Sequence, residues 1–255
     1  MPIEIVTVPC LSDNYAFLIN DDASGRTALV DVPEARPILE ALDTRGWTLD
    51  EVWITHHHDD HVQGLGAVLE QHKALVRGAA ADAHRLPALD VALRDEDHFD
   101  FAGHDVRVMD VSGHTVGHIA YYVADAGAVF TADSLMALGC GRLFEGSAPQ
   151  MWESLSKLAA LPEETLVCSG HEYTAANAKF ALTVDPDNSE LISRSRAISE
   201  ARASQTPTVP STLALELKTN PFLRAADPAI RAFLNKKQAS DADVFAEIRA
   251  RKDAF

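Results

Sequence analysis

Thr55-His56-His57-His58-Asp59-Asp60-His61 follows directly on the apolar run Val52-Trp53-Ile54 and precedes a stretch with helical spacing. The heptapeptide therefore reads as a strand-to-helix loop. Loops at the carboxyl ends of strands are where α/β folds set their sites. In an extended segment side chains alternate, which sends His56 and His58 to one side and His57 to the other. Where the chain then winds into the helix, Asp60 and His61 can project as an adjacent pair. Four candidate ligands thus arise between positions 56 and 61. Imidazole and carboxylate donors without thiolate suit zinc, iron or manganese, and this density of donors exceeds what solvation of a surface loop requires.

Three residues further along repeat the placement: His114 in Ser112-Gly113-His114-Thr115, Asp133 in Thr131-Ala132-Asp133-Ser134, and His171 in Ser169-Gly170-His171-Glu172. Each ends a β-type run. Singly, such a residue is more often a satisfied structural group than a ligand. Recurrence at successive strand ends makes all three candidate ligands.

Around these points the first two thirds of the chain alternate β runs and helical patterns, without repeats or low-complexity stretches. Strands are expected at Ile3–Val8, Tyr15–Asn20, Thr27–Val32, Glu51–Thr55, Ala74–Arg77, Val106–Val111, Ile119–Val123, Ala128–Thr131 and Thr165–Ser169. Asp125-Ala126-Gly127 reads as a hairpin link. Helices are expected at Ala35–Arg45, Val62–His72 and Gln150–Ala160. Beyond about Tyr173 long amphipathic helices take over, at Ala175–Val184, Ser189–Ser204, Pro228–Lys236 and Ala242–Lys252. The expected organisation is an α/β domain over 1–173 and a helical domain over 174–255, with Thr206–Pro210 as a connector inside the latter.

The 255 residues are 47% hydrophobic, enough to bury a large core. No segment approaches the roughly 20 unbroken apolar residues of a membrane span, and Met1 to Cys10 lack the basic stretch of a secretory signal. A cytoplasmic protein, with no membrane partner, is expected. Twenty-two basic against 38 acidic residues give a net charge of -16, which repels a nucleic-acid backbone. An anionic ligand then needs a local positive site. The widely spaced Cys10, Cys140 and Cys168 suit neither a disulfide framework nor a thiolate zinc site.

The segment Thr55 to His61, continued by His114, Asp133 and His171, resembles the metal-binding signature of the metallo-β-lactamase superfamily, whose fold is an αββα sandwich. Within it the chain resembles glyoxalase II over nearly its whole length. The resemblance is carried by Leu11-Ser12-Asp13-Asn14-Tyr15, Gly113-His114-Thr115 with Gly117-His118-Ile119, Gly139-Cys140-Gly141-Arg142, Phe144-Glu145-Gly146, His171-Glu172-Tyr173-Thr174 and Thr219-Asn220-Pro221-Phe222. It implies two divalent metal ions, zinc foremost, with iron or manganese suited to the same donors. One would be held by His56, His58 and His114, the second by Asp60, His61 and His171, with Asp133 bridging. Asp60 and Asp133 would be the catalytic carboxylates.

The resemblance further implies hydrolysis of S-D-lactoylglutathione to D-lactate and glutathione by a metal-bound hydroxide, in a monomer whose partner is the small thioester. Arg249 and Lys252, three apart in Ile248-Arg249-Ala250-Arg251-Lys252-Asp253, would take the glycine carboxylate, and Arg142, Phe144 and Tyr173 would complete the pocket. Arg142 stands where many members carry Lys, replacing a point charge with a fork. Phe144 stands where a Tyr is often found, removing a hydroxyl contact. The alternative activity is that of a mononuclear iron glutathione-persulfide dioxygenase.

Overall fold

Strand formation begins at Ile3 in the computed structural model, which describes residues 3–255. The chain packs as two units: one runs to Asp110 and resumes over Val116–Ala132, and the other takes Val111–Thr115 and Asp133–Phe255.

In the first unit, β1 (Ile3–Cys10), β2 (Asn14–Asp21) and β3 (Arg26–Val30) form an antiparallel meander. Every residue of β2 is buried, as expected of a strand covered on both faces. The helix α1 (Ala35–Arg45) stops at Gly46, whose φ of 67° places it in the left-handed C-cap conformation that glycine accepts without strain. It leads to β4 (Glu51–Trp53), α2 (Asp59–Val62), α3 (Leu65–Gln71), β5 (Leu75–Ala79) and β6 (Val91–Leu93). The sheet keeps sequence order from β1 to β6, with β3 to β6 parallel.

An antiparallel set follows, from β7 (His98–Phe101) and β8 (His104–Asp110) to β9 (Ile119–Val123) and β10 (Ala128–Ala132). Between the two sets lies an aromatic core. Trp53 packs 5.3 Å from Phe101 and 5.4 Å from Tyr121, Phe17 packs 5.7 Å from Phe130, and the Tyr121 hydroxyl donates to the Ile54 carbonyl at 2.8 Å. Burial of each large apolar side chain contributes roughly 1.5–3 kcal/mol. Glu51 is buried beneath this layer. Burial pushes its carboxyl up, but hydrogen bonds from Arg77 and Trp53 and the charge of Arg26 outweigh that and leave it below the usual carboxylate range.

In the second unit, the short pair β11 (Leu135–Met136) and β12 (Gly139–Cys140) is followed by α4 (Ala148–Ala159), β13 (Leu166–Ser169), α5 (Thr174–Val184), α6 (Ser189–Ala203), β14 (Ser211–Thr212), α7 (Leu213–Thr219), α8 (Pro228–Phe233) and α9 (Asp241–Asp253). Ser147, Asn188, Thr212, Asp227 and Ser240 cap their helices through side-chain acceptors.

Most expected elements are present, the α1 bounds unchanged. The helix expected over Val62–His72 is instead broken. Gly64 lies so close to the chain at Val32 to Ala35 that an added Cβ would meet the Val32 carbonyl oxygen at 2.9 Å and the Ala35 nitrogen at 2.8 Å, and its N–H bonds to the Val32 carbonyl at 2.9 Å. That contact divides the segment into α2 and α3. The strands β6 and β7, the β11–β12 hairpin and α7 lie outside the sequence expectation, since all are short and weakly patterned.

Candidate metal centre and adjoining pocket

The first unit carries His56, His58, Asp60 and His61; the second carries His114, Asp133 and His171. In the first unit the loop leaves β4 beside the end of β3, where Asp31 takes φ 57°. One Asp31 oxygen accepts from the Thr55 amide at 2.9 Å, and the other accepts from the Thr55 hydroxyl and from His61 Nδ1, each at 2.8 Å. A proton on His61 Nδ1 leaves Nε2 with the lone pair a cation needs. The Thr55 hydroxyl, having donated to Asp31, accepts from His56 Nδ1 at 3.0 Å, so His56 also presents Nε2. That atom sits 3.1 Å from His58 Nδ1, and the two rings are 4.7 Å apart.

His57 faces elsewhere, as alternation requires. Its Nδ1 lies 3.2 Å from Asp82, which is buried and also takes Arg85 at 2.8 Å. Gly117 allows this, because a Cβ there would fall 2.1 Å from the Asp82 carboxyl carbon. Asn14 orients Asp60, donating to its carboxylate at 3.0 Å and to its carbonyl at 3.1 Å. His118 is fully buried and stacks on His56 at 4.5 Å. The donor atoms of Asp31, His56 and His61 lie within 4.8 Å of one another.

In the second unit Asp133 offers one oxygen to each of two imidazoles: Oδ2 lies 3.4 Å from His114 Nε2 and Oδ1 lies 3.2 Å from His171 Nε2. His114 Nδ1 donates to the Arg142 carbonyl at 2.8 Å, which fixes its tautomer and turns Nε2 toward Asp133. Tyr173 stacks on His171 at 4.6 Å. Ring nitrogens turned toward a shared carboxylate, with no thiolate among them, are a donor set for a borderline divalent cation.

The same unit encloses a cavity of about 400 Å³ whose walls include His114, Asp133, Arg142, Phe144, Tyr173, Arg249 and Lys252. All five expected substrate residues thus share one space with two expected ligands. Their environments differ. Arg249 is 5% exposed, and its guanidinium already donates to the Cys140 carbonyl at 3.0 Å and to Asp253 at 2.8 Å. Lys252 Nζ lies over the Phe180 and Phe255 rings at 5.2 and 5.4 Å. Burial first, then the charges of Arg249 and Arg142, push the Lys252 ammonium below its usual range. Burial likewise raises the Cys140 thiol to about 11, so it stays protonated at neutral pH. Phe144 is 62% exposed at the rim, 5.2 Å from the His114 ring.

Sequence reasoning missed Asp31 and Asp82, and it saw Asn14 within the motif Leu11-Ser12-Asp13-Asn14-Tyr15 without its role on Asp60. Asp31 carried a signal of the same kind as His114 and Asp133, a polar residue closing a β run. Asp82 carried none, its partners being distant in sequence.

Comparison with known proteins bears on both halves. The metallo-β-lactamase superfamily profile matches residues 13–171, and that of the hydroxyacylglutathione hydrolase C-terminus matches residues 172–255. The chain is 76% identical to a hydroxyacylglutathione hydrolase of Roseobacter denitrificans and 66% identical to one of Ruegeria pomeroyi, each over 100% of both chains. The crystal structure of BLEG-1 B3 metallo-β-lactamase superposes with a TM-score of 0.67 at 20% identity, covering 86% of this chain and 99% of that one, a likeness of fold.

Proposed function

Since the chain belongs to the hydroxyacylglutathione hydrolase family of the metallo-β-lactamase superfamily, we propose that it hydrolyses S-D-lactoylglutathione to D-lactate and glutathione. It is a thioester hydrolase of αββα fold with a C-terminal helical region. The observation that carries the substrate is the shared cavity: Arg142, Lys252 and Arg249 form a positive wall in the same space as His114 and Asp133. In a chain of net charge -16, that wall is where a glutathione carboxylate is stabilised.

The fit to metal is supported by the carboxylate-oriented imidazoles of both units. In this reading His56, His58 and His114 hold one divalent cation, Asp60, His61 and His171 hold a second, and Asp133 serves both. Zinc is the first choice by donor chemistry, with iron and manganese admissible. Such ions would acidify water to a pKa of about 7 and polarise the thioester carbonyl.

The protein's own groups do the rest. Asn14 holds the Asp60 carboxylate, which orients the attacking water. Arg142 and Lys252 hold the peptide end, and Phe144 and Tyr173 flank it. The leaving thiol has a pKa of about 8.5 by analogy with cysteine, so it departs as thiolate with little help from an acid. Functionally the division falls near residue 173, with the ligands in 1–173 and Arg249 and Lys252 in 174–255. The profile matches, which meet at 171 and 172, support that division.

We assign the protein to the cytoplasm as a monomer. Cys10, Cys140 and Cys168 are buried thiols outside any disulfide, which suits a reducing compartment, and among the described residues no helix is long and apolar enough to cross a membrane. The deciding experiment is thioester loss from S-D-lactoylglutathione by metal-analysed protein, with and without chelator, beside Arg249→Ala/Lys252→Ala. Chelator-sensitive turnover at two metals per chain, with a raised KM in the variant, is expected. No turnover at full metal content, with oxygen uptake on glutathione persulfide, would overturn the reading.

A further inference from the structure

One wall of the cavity is a hairpin that its own residues explain poorly. β11 and β12 pair through Leu135 with Cys140 and Met136 with Gly139, leaving Ala137 and Leu138 as the turn. Two-residue turns favour Asn and Gly, yet Leu138 adopts φ 57°, and strands this short do not stand alone.

Helical side chains supply the missing support. Asn177 donates to the Ala137 carbonyl at 3.0 Å, and Asn220 donates to the Met136 and Gly139 carbonyls, both at 3.0 Å. Glu216 accepts from the Leu138 amide at 2.8 Å, and Arg249 donates to the Cys140 carbonyl at 3.0 Å. Glu216 and Asn220 are both fully buried. The second Glu216 oxygen is taken by Ser211 and by Arg194. A buried ion pair is a poor route to stability alone, since its desolvation cost offsets much of its attraction. Its effect here is to fix the course of one hairpin.

The hairpin leads straight into the site. The Gly141 amide donates to the Ser134 carbonyl at 3.1 Å, and the Arg142 carbonyl accepts from His114. We propose that Glu216 and Asn220 are positioning residues of the glutathione pocket. By seating Leu135–Cys140 they set the segment that presents Arg142, and they act on substrate affinity without touching substrate. This gives Thr219-Asn220-Pro221-Phe222 a physical role, and it rests on the reading of the cavity as the glutathione site.

The test compares Asn220→Ala with Ile230→Ala, a truncation of the buried core in α8 that serves as a stability control. Both holoenzymes are assayed for KM and kcat on S-D-lactoylglutathione, for Tm, and for the Kd of glutathione by calorimetry. In Asn220→Ala, KM and Kd are expected to rise together by about tenfold or more while kcat stays within about threefold, as displacement of a binding group by a fraction of an ångström predicts. A glutathione Kd no weaker than that of Ile230→Ala would overturn the proposal. If Asn220→Ala does not fold, Glu216→Gln, which keeps the volume and loses the charge, is judged by the same criterion. A wild-type protein that binds no glutathione would instead remove the assignment of the pocket itself.

Discussion

Replacing Gly141 by Ala would insert one methyl group where the second unit has no room. The added carbon would stand 2.0 Å from the Asp133 carbonyl oxygen and 2.9 Å from His114 Nδ1. Comfortable contacts between heavy atoms lie near 3.5 Å, so the backbone oxygen must give way by roughly 1.5 Å. Neither neighbour is a flexible side-chain tip. Overpacking typically costs about 1–3 kcal/mol, and a backbone clash belongs at the upper end. At about 2–4 °C per kcal/mol for a chain of this size, Tm should fall by roughly 6–12 °C. The larger consequence is chemical, because the same shift moves Asp133 and the tautomer-fixed His114. A displacement of about 1 Å can cost on the order of a hundredfold in rate. Calorimetry, metal analysis and kcat on S-D-lactoylglutathione, measured on one preparation of Gly141→Ala, check all three. A variant with full metal content, kcat within about twofold of wild type and an unchanged Tm would refute the packing argument.

Lys252 should give KM an alkaline limb that starts below the ordinary lysine range near about 10.4, because its ammonium is lowered by burial and by Arg249 and Arg142. The limb should vanish in Lys252→Met, and its persistence there would point to another group. Since this folded pKa lies below the unfolded one, the unfolded chain binds more protons between the two values. Stability therefore grows with pH across that window while affinity falls. Asp82→Ala strips His57 and Arg85 of a buried acceptor and should cost about 1–3 kcal/mol together with metal affinity; denaturant unfolding with and without zinc checks both, and equal metal affinity would remove Asp82 from the support of the loop. Chelation should lower Tm, by about 8–16 °C if metal is initially about a thousandfold above its Kd, and an unchanged Tm at demonstrated metal loss would contradict binding linked to the fold.

The sequence was legible where chemistry sat on local pattern. His56 and His58 alternate with His57 as an extended segment dictates, and their separate environments follow that alternation. His114, Asp133 and His171 end runs that could be read from β-branched and aromatic residues alone. Illegible were residues whose role comes from pairing across the chain. Asp31 acts on Thr55 and His61, at sequence separations of 24 and 30 residues, and its carboxylate has meaning once β3 and β4 lie side by side. The β11–β12 hairpin carries no β propensity and is held by residues 177, 216, 220 and 249. Asn220 was visible as part of a motif, its purpose was not. Arg249 was expected to take the glycine carboxylate with Lys252, and part of its donor capacity serves the Cys140 carbonyl and Asp253.

The dependence of that hairpin on distant helices bears on how such a protein can be inherited or recombined. A gene stopping at codon 171 would encode every expected ligand, yet the carbonyls of Met136, Ala137, Gly139 and Cys140 and the amide of Leu138 would lose their partners. A lineage therefore cannot discard the helical half by a premature stop and retain this wall of the cavity. A recombination that grafts the helices onto another catalytic half would have to carry Leu135–Cys140 with them, which puts the workable crossover point upstream of the junction between the two family profiles.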